Sequence, residues 1–440
     1  MRLHAFSPID RDILRIAVPS VISNITVPLL GLADVAITGH LGSPDYIGAI
    51  AVGSMIFNVI YWVFGFLRMG TSGMTSQAFG RDNPKEMADM LSRSLSVGLV
   101  IGILLLIAQP LILQVGMALM SPPQSIRSLV SAYFRICIWG APAVLGLYGL
   151  TGWFIGMQDT RIPMIVSISQ NIINILASLS LVFLAGMRIE GVALGTLVAQ
   201  YAGLLMAILL LLWRYRRLAR LSSLSALRQR EPMLRFFRVN RDIFLRTLFI
   251  VAVNMFFTVA GSRQGSMILA VNTLLFQLFT LYSFVMDSFA YAGEALCGKH
   301  YGSGSKQEFI KAMRRLFLWG LALTIAYTLV YWLGGEPFLS LLTDDISVCR
   351  AAREYIPWAI CIPLAGMAAF IWDGIYIGIT ATKGMLLSSL IAALCFFSVW
   401  LGLSPLMANH ALWLALIVYL AARGIVQTLL FRKYKRSVSL

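Results

Sequence analysis

Long apolar stretches alternate with short polar ones along the whole chain, and each apolar stretch is longer than a soluble helix usually needs. A helix rises about 1.5 Å per residue, so roughly 20 mainly apolar residues cross a bilayer's hydrocarbon core. Twelve such spans are predicted, near 13–37, 47–72, 91–115, 130–156, 163–185, 191–213, 243–263, 266–292, 314–334, 355–378, 385–406 and 411–431. The second and eighth should run on as amphipathic ends, because polar residues such as Gln77 and Lys299 follow them. The expected fold class is an all-α polytopic membrane protein.

Composition narrows the picture. Of 440 residues, 59% are hydrophobic and only 12% charged, against about 25% charged in a typical soluble domain. Too little polar surface remains to dissolve the chain in water. No cleavable secretory signal is expected, since the first apolar segment from Ile13 outruns a signal-peptide core and lacks a small-residue cleavage site. The net charge of +16 does not indicate a nucleic-acid partner, because the basic residues lie between apolar segments. Five scattered cysteines, Cys137, Cys297, Cys349, Cys361 and Cys395, show no C-x-x-C spacing. They imply neither a disulfide framework nor a metal site.

The placement of those basic residues sets an orientation. Arg2, Arg11 and Arg15 precede span 1; Arg81, Lys85 and Arg93 follow span 2; Lys299, Lys306, Lys311, Arg314 and Arg315 follow span 8. Arg432, Lys433, Lys435 and Arg436 end the chain. With twelve spans, all fall on one side, together with a central arginine-rich stretch. The opposite loops hold acids such as Asp45, Glu336, Asp344 and Asp345. Both termini are therefore expected in the cytoplasm, as in a bacterial inner-membrane protein. The central stretch, 214–241, separates an N-lobe of spans 1–6 (1–213) from a C-lobe of spans 7–12 (242–440). It serves as a topology signal lying against anionic lipid.

The two halves resemble each other. Arg11-Asp12-Ile13 recurs as Arg241-Asp242-Ile243, and the same shift of 230 (241 − 11) carries Asn24 to Asn254 and Gly31 to Gly261. A shift of 222 (374 − 152) relates Gly152, Gly156, Thr160 and Tyr133 to Gly374, Gly378, Thr382 and Tyr355. Two pseudo-symmetric six-helix lobes follow, with an even number of spans in each and hence parallel repeats around a central cavity. That is the geometry of a transporter.

Ionisable residues inside a bilayer cost about 2.5–3.5 kcal/mol on insertion scales, so each needs a reason. Asp34 lies late in span 1, Asp287 and Glu294 in span 8, and Asp373 in span 10. Asp287 and Glu294 are seven residues apart, about two turns, and share a helix face. Asp34 is the candidate for binding and releasing a proton; hydration near the outer mouth is the alternative. Asp287, Asp373 and Glu294 are candidate second coupling or substrate groups; the alternative for Asp373 is a structural ion pair or a hydrated cavity wall, and for Glu294 contact with cytoplasmic water. Asn174 and Ser178 share a face of span 5, and Thr196 lies in span 6. Such residues glue helices together unless they converge on Asp34. Pro19 and Pro28 interrupt span 1 and are candidate hinges. Gly293-Glu-Ala-Leu-Cys-Gly298-Lys299 approaches a phosphate-binding loop, but His300 replaces the required Ser or Thr and the context is an apolar helix. The sequence carries no catalytic motif, which argues against an enzyme.

Several motifs resemble the multidrug and toxic compound extrusion (MATE) family, in its branch named for the DNA-damage-inducible protein F. They are Asn24-Ile-Thr-Val-Pro-Leu-Leu-Gly-Leu-Ala-Asp34, Gly39-His-Leu-Gly42 and Ser76-Gln-Ala-Phe-Gly80 in the first half. The second half adds Asp287-Ser-Phe-Ala-Tyr-Ala-Gly-Glu294, Asp373-Gly-Ile-Tyr-Ile-Gly378 and Asn409-His-Ala-Leu-Trp-Leu-Ala-Leu416. The resemblance implies a V-shaped pair of lobes whose cavity opens alternately to either side. It implies export of amphipathic, often cationic organic compounds in exchange for protons or sodium ions; a monomer without a cofactor is expected. It also implies a coupling group built on Asp34, joined by Asn174 and Thr196. Many members carry a second Asp where this chain has Ser178, which weakens a sodium site and leaves proton antiport. Asp373 matches a coupling position of some branches. The rival expectation is a flippase for a lipid-linked precursor, whose phosphate would need basic groups such as Arg68, Arg135 and Arg263.

Overall fold

A computed structural model describes residues 7–40, 43–342 and 345–437. Arg2, the Leu41–Gly42 end of one motif and Asp344 lie outside the described residues, as do the side chains of Glu336, Lys435 and Arg436. Every regular element among the described residues is helical. Among the described residues, twelve helices are long and apolar enough to cross a membrane. In chain order, spans 1–6 are Pro8–Gly39, Pro44–Gly80, Pro84–Ile107, Gln124–Gly156, Arg161–Leu184 and Ile189–Arg214. Spans 7–12 are Arg230–Ser262, Ser266–Gly302, Lys306–Gly334, Ile356–Gly378, Thr382–Met407 and Asn409–Lys433.

Local chemistry explains most boundaries. Ser43 and Asn83 cap spans 2 and 3, their side chains accepting from the amides of Asp45 and Glu86, with Pro44 and Pro84 beginning the first turns. Spans 2 and 8 do run on, to Gly80 and Gly302. Span 3 differs from its expected 91–115: it ends at Ile107, and a separate helix, Gln109–Met120, follows. Pro110 lies in the first turn of that helix, where its missing donor is harmless but would break a continuous ladder. Hydropathy alone does not register such a break. The 214–241 stretch is folded too, with a helix at Arg216–Leu221, a 3-10 turn at Leu224–Arg228 and span 7 starting at Arg230.

The chain forms two compact units, one comprising Val18–Asn240 and the other Arg241 onward together with the chain up to Ala17. In the first, Trp153 is fully buried and donates to the carbonyl of Met87 at 2.8 Å. In the second, Tyr282 donates to the carbonyl of Pro363 at 3.0 Å, and Trp372, Tyr376 and Phe431 pack ring on ring. Large apolar side chains such as Leu104, Leu176, Leu333 and Leu401 are more than half exposed. Lipid is the solvent in which that exposure costs nothing.

Repeat-related glycines do the same work in each unit. A Cβ on Gly156 would crowd the Ser72 carbonyl (2.8 Å) and the Ser76 amide (3.0 Å); one on Gly378 would crowd the Glu294 carbonyl (2.8 Å) and the Gly298 amide (2.9 Å). Both contacts are displaced by the same 222 residues as the glycines. The sequence repeat is thus a repeat of backbone packing, of span 4 on span 2 and of span 10 on span 8. In span 8 the phosphate-loop look-alike at 293–299 is continuous helix, so no phosphate cradle forms there.

Candidate ion-coupling site

Span 1 brings Asp34 to within two turns of its end at Gly39. The side chain is half-buried, and Oδ1 is shut off from solvent with no hydrogen-bond partner. Among the described residues no ion pair reaches this carboxylate. Tyr133 and Cys137 on span 4 are close enough to feel its charge. Tyr133 is held in place: its ring lies where a Cβ on Gly53 would be, and its hydroxyl is 3.4 Å from Ser54 Oγ.

Two turns before Asp34, span 1 is fastened to span 5. Asn171 Nδ2 donates to the Thr26 carbonyl at 3.1 Å, and Thr26 Oγ1 lies 3.4 Å from Ser167 Oγ. One turn further along span 5, Asn174 Nδ2 donates to Thr196 Oγ1 at 3.1 Å and Asn174 Oδ1 accepts from Ser178 Oγ at 3.4 Å. The structure therefore brings Asn174, Ser178 and Thr196 together but does not hydrogen-bond them to Asp34. Gly195 permits this closure, because a Cβ there would collide with Ser178 Oγ. Directly after Ser178, span 5 widens into a π-turn at Ser180–Leu184, an irregularity that often marks functional places.

Asp373 is in the opposite condition. It is buried, and its Oδ2 accepts from Arg423 Nη2 at 2.5 Å and also from Arg246 Nη2. Its Oδ1 accepts from Gln427 Nε2 at 2.6 Å. Spans 7, 10 and 12 meet in this ion-paired knot, and Asp287, half-buried on span 8, adds its field to both arginines. The Nε atoms of Arg246 and Arg423 are buried without partners, so each guanidinium depends on acidic neighbours for compensation. The other candidates fall apart from one another: Glu294 is buried deep in span 8, Pro19 is buried and Pro28 exposed in one uninterrupted helix.

Arg246, Arg423 and Gln427, which the structure gathers around Asp373, were not among the residues that the sequence singled out. The signal was present, since an arginine within an apolar span is itself costly and calls for a partner. Asn171, Ser54 and Tyr133 had no such signal. Arg135 and Arg263, set aside for phosphate, are exposed, and Arg68 is half-buried.

Twelve candidate spans, built as two packing repeats with unlike ionisable groups inside them, define a polytopic membrane transporter rather than an enzyme. The chain belongs to the MatE family, whose profile matches residues 19–180 and 243–400. It is 35% identical over 432 residues to DNA damage-inducible protein F of Escherichia coli (strain K12), covering 97% of this chain and 93% of that one. It is 20% identical over 432 residues to a probable multidrug resistance protein NorM of Thermotoga maritima, covering 96% and 90% of the two chains. Its fold matches an outward-facing multidrug resistance MATE family transporter with a TM-score of 0.88 at 17% identity, covering 98% of this chain and 97% of that one.

Proposed function

We propose that this protein is a secondary active exporter of amphipathic, often cationic organic compounds, driven by protons through Asp34. It works as a monomer in a bacterial cytoplasmic membrane, with both termini and the 214–241 stretch on the cytoplasmic side. The observation that carries this reading is the contrast between two carboxylates. Asp34 Oδ1 is buried without a hydrogen-bond partner and, among the described residues, no ion pair reaches this carboxylate, whereas Asp373 has two arginines and a glutamine. A charge left uncompensated in an apolar setting is unfavourable, and binding a proton or a cationic ligand relieves it. Occupancy by one disfavours the other, which is the thermodynamic basis of exchange. Asp373 is already neutralised and has little to gain from either.

Protons are favoured over sodium. Sodium binding would require Asn174, Ser178 and Thr196 to offer oxygens, yet Asn174 Oδ1 already accepts from Ser178 Oγ and Thr196 Oγ1 from Asn174 Nδ2. Ser178 also supplies no second negative charge. The test is uptake of a cationic dye into proteoliposomes under separately imposed proton and sodium gradients. Wild-type protein should respond to the proton gradient, and Asp34→Asn should lose at least about tenfold of that response, a typical coupling free energy of 1–3 kcal/mol or more. Undiminished proton-driven transport by Asp34→Asn sinks the proposal. A flippase reading gains support from Arg246 and Arg423, but Asp373 already occupies both. Scrambling of a lipid-linked precursor in the same vesicles would revive it.

A further inference from the structure

Between span 6 and the apolar part of span 7 runs a short strap that the mechanism above does not use. Nine arginines and a single acid, Glu231, fall between 214 and 241. Three of the arginines are spoken for locally: Arg214 Nε lies 2.7 Å from Asp159 Oδ2, Arg235 donates to Gln77 Oε1 at 2.9 Å, and Arg241 pairs with Asp242 at 2.9 Å. Arg216, Arg217, Arg220, Arg228, Arg230 and Arg238 are all exposed, and among the described residues none of their guanidinium groups has a hydrogen-bond or ion-pair partner. Beside them Trp213 is 79% and Leu224 74% exposed, with Leu221 and Phe237 also open. Unpaired cations interleaved with exposed aromatic and aliphatic groups make a surface half suited to water and half to acyl chains.

A tether serving only for reach, or only as a topology charge, needs no fixed fold. This strap has one. Arg93, at 1% exposure, reaches from span 3 to hold it, donating from Nε to the Ala226 carbonyl (3.3 Å) and from Nη2 to Gln229 Oε1 (2.6 Å). Lys85 Nζ donates to the Leu221 carbonyl at 3.2 Å. A buried guanidinium is thereby committed to fixing the strap's backbone, and its free arginines are presented as a set. Ordering them in advance spares that cost at the moment of binding.

We infer that the strap at 214–238 is a docking surface for the phosphate headgroups of anionic phospholipids. Guanidinium forks match phosphate oxygens two at a time, and Trp213 and Leu224 lodge at the acyl boundary. This inference is independent of the coupling role of Asp34.

The test is retention of labelled phosphatidylglycerol against phosphatidylcholine by the full-length protein in mixed micelles. Each basic group near an anionic surface contributes about fivefold in affinity. Wild-type protein should prefer phosphatidylglycerol by about tenfold or more, and the triple variant Arg216→Gln, Arg217→Gln, Arg220→Gln should lose most of that preference. The matching triple lysine variant preserves the topology charge and should retain the preference to within about threefold. If the glutamine triple does not insert, Arg228→Gln with Arg230→Gln carries the same comparison. Equal retention of the two lipids by wild-type protein, or a full preference in correctly inserted glutamine variants, overturns the inference. So does complete displacement of the lipid by millimolar inorganic phosphate, which would indicate a free-ion site.

Discussion

Asp34 and Asp373 show how little residue type alone says about role. Both are aspartates inside apolar helices, yet among the described residues Asp34 Oδ1 meets no hydrogen-bond partner while Asp373 is locked among Arg246, Arg423 and Gln427. Removing one partner of a buried ion pair leaves a charge with nothing to offset it, at a cost of about 3–5 kcal/mol. Asp373→Asn should therefore lower the thermal stability of the purified protein strongly. Adding Arg423→Gln to it should recover part of the loss, since the two changes share one network and do not add. Asp34→Asn, by contrast, breaks no ion pair or side-chain hydrogen bond among the described residues and should leave the unfolding midpoint nearly unchanged while abolishing proton-driven transport. Similar stability losses at the two aspartates would contradict the contrast drawn between them.

Among the helices, close approach decides more than propensity does. Gly152 and Gly374 lie where a Cβ would strike the carbonyls of Arg68 and Ala290 respectively, and these partners too are 222 residues apart. Replacing either glycine by alanine pushes span 4 off span 2, or span 10 off span 8, for about 1–3 kcal/mol. The two losses should match in thermal melts, and a loss at only one position would break the packing repeat. Pro28 acts on span 1 differently, removing the donor that the Asn24 carbonyl would otherwise accept. As the proposed hinge near Asp34, Pro28→Ala should slow transport while dye binding at equilibrium stays within about twofold, the range of a local helix repair. An unchanged transport rate would remove Pro28 from the mechanism. Span 3 adds a lesson about reading helices from hydropathy: the apolar run continues past Ile107, and only the proline-led start at Gln109 divides it.

For the molecule as a whole, the repeat preserves packing while the chemistry diverges. The 230-residue shift takes Asp34 to Gln264, and the 222-residue shift takes Asp373 back to Thr151. Neither Asp34 nor Asp373 has a carboxylate at its repeat-related position. Neutralising Asp373 should accordingly reduce the amount of folded protein without changing which ion gradient drives transport. Gradient-resolved flux in vesicles, normalised to folded protein, distinguishes the two effects; altered ion preference would return Asp373 to the coupling machinery.

Much of this was legible from the chain alone because bilayer physics is severe. Apolar runs near 20 residues, basic residues between them and recurring glycines are linear features, and they were enough to predict twelve spans in two repeats and to single out Asp34. Tertiary structure alone decided which polar groups meet. Asn174 finds Thr196 across two helices, Asp373 finds two arginines from spans far away in sequence, and Arg93 folds the strap into a presented surface. Burial and hydrogen bonding depend on neighbours that no local window contains, and they determine whether an ionisable group is poised to exchange its charge or is already satisfied.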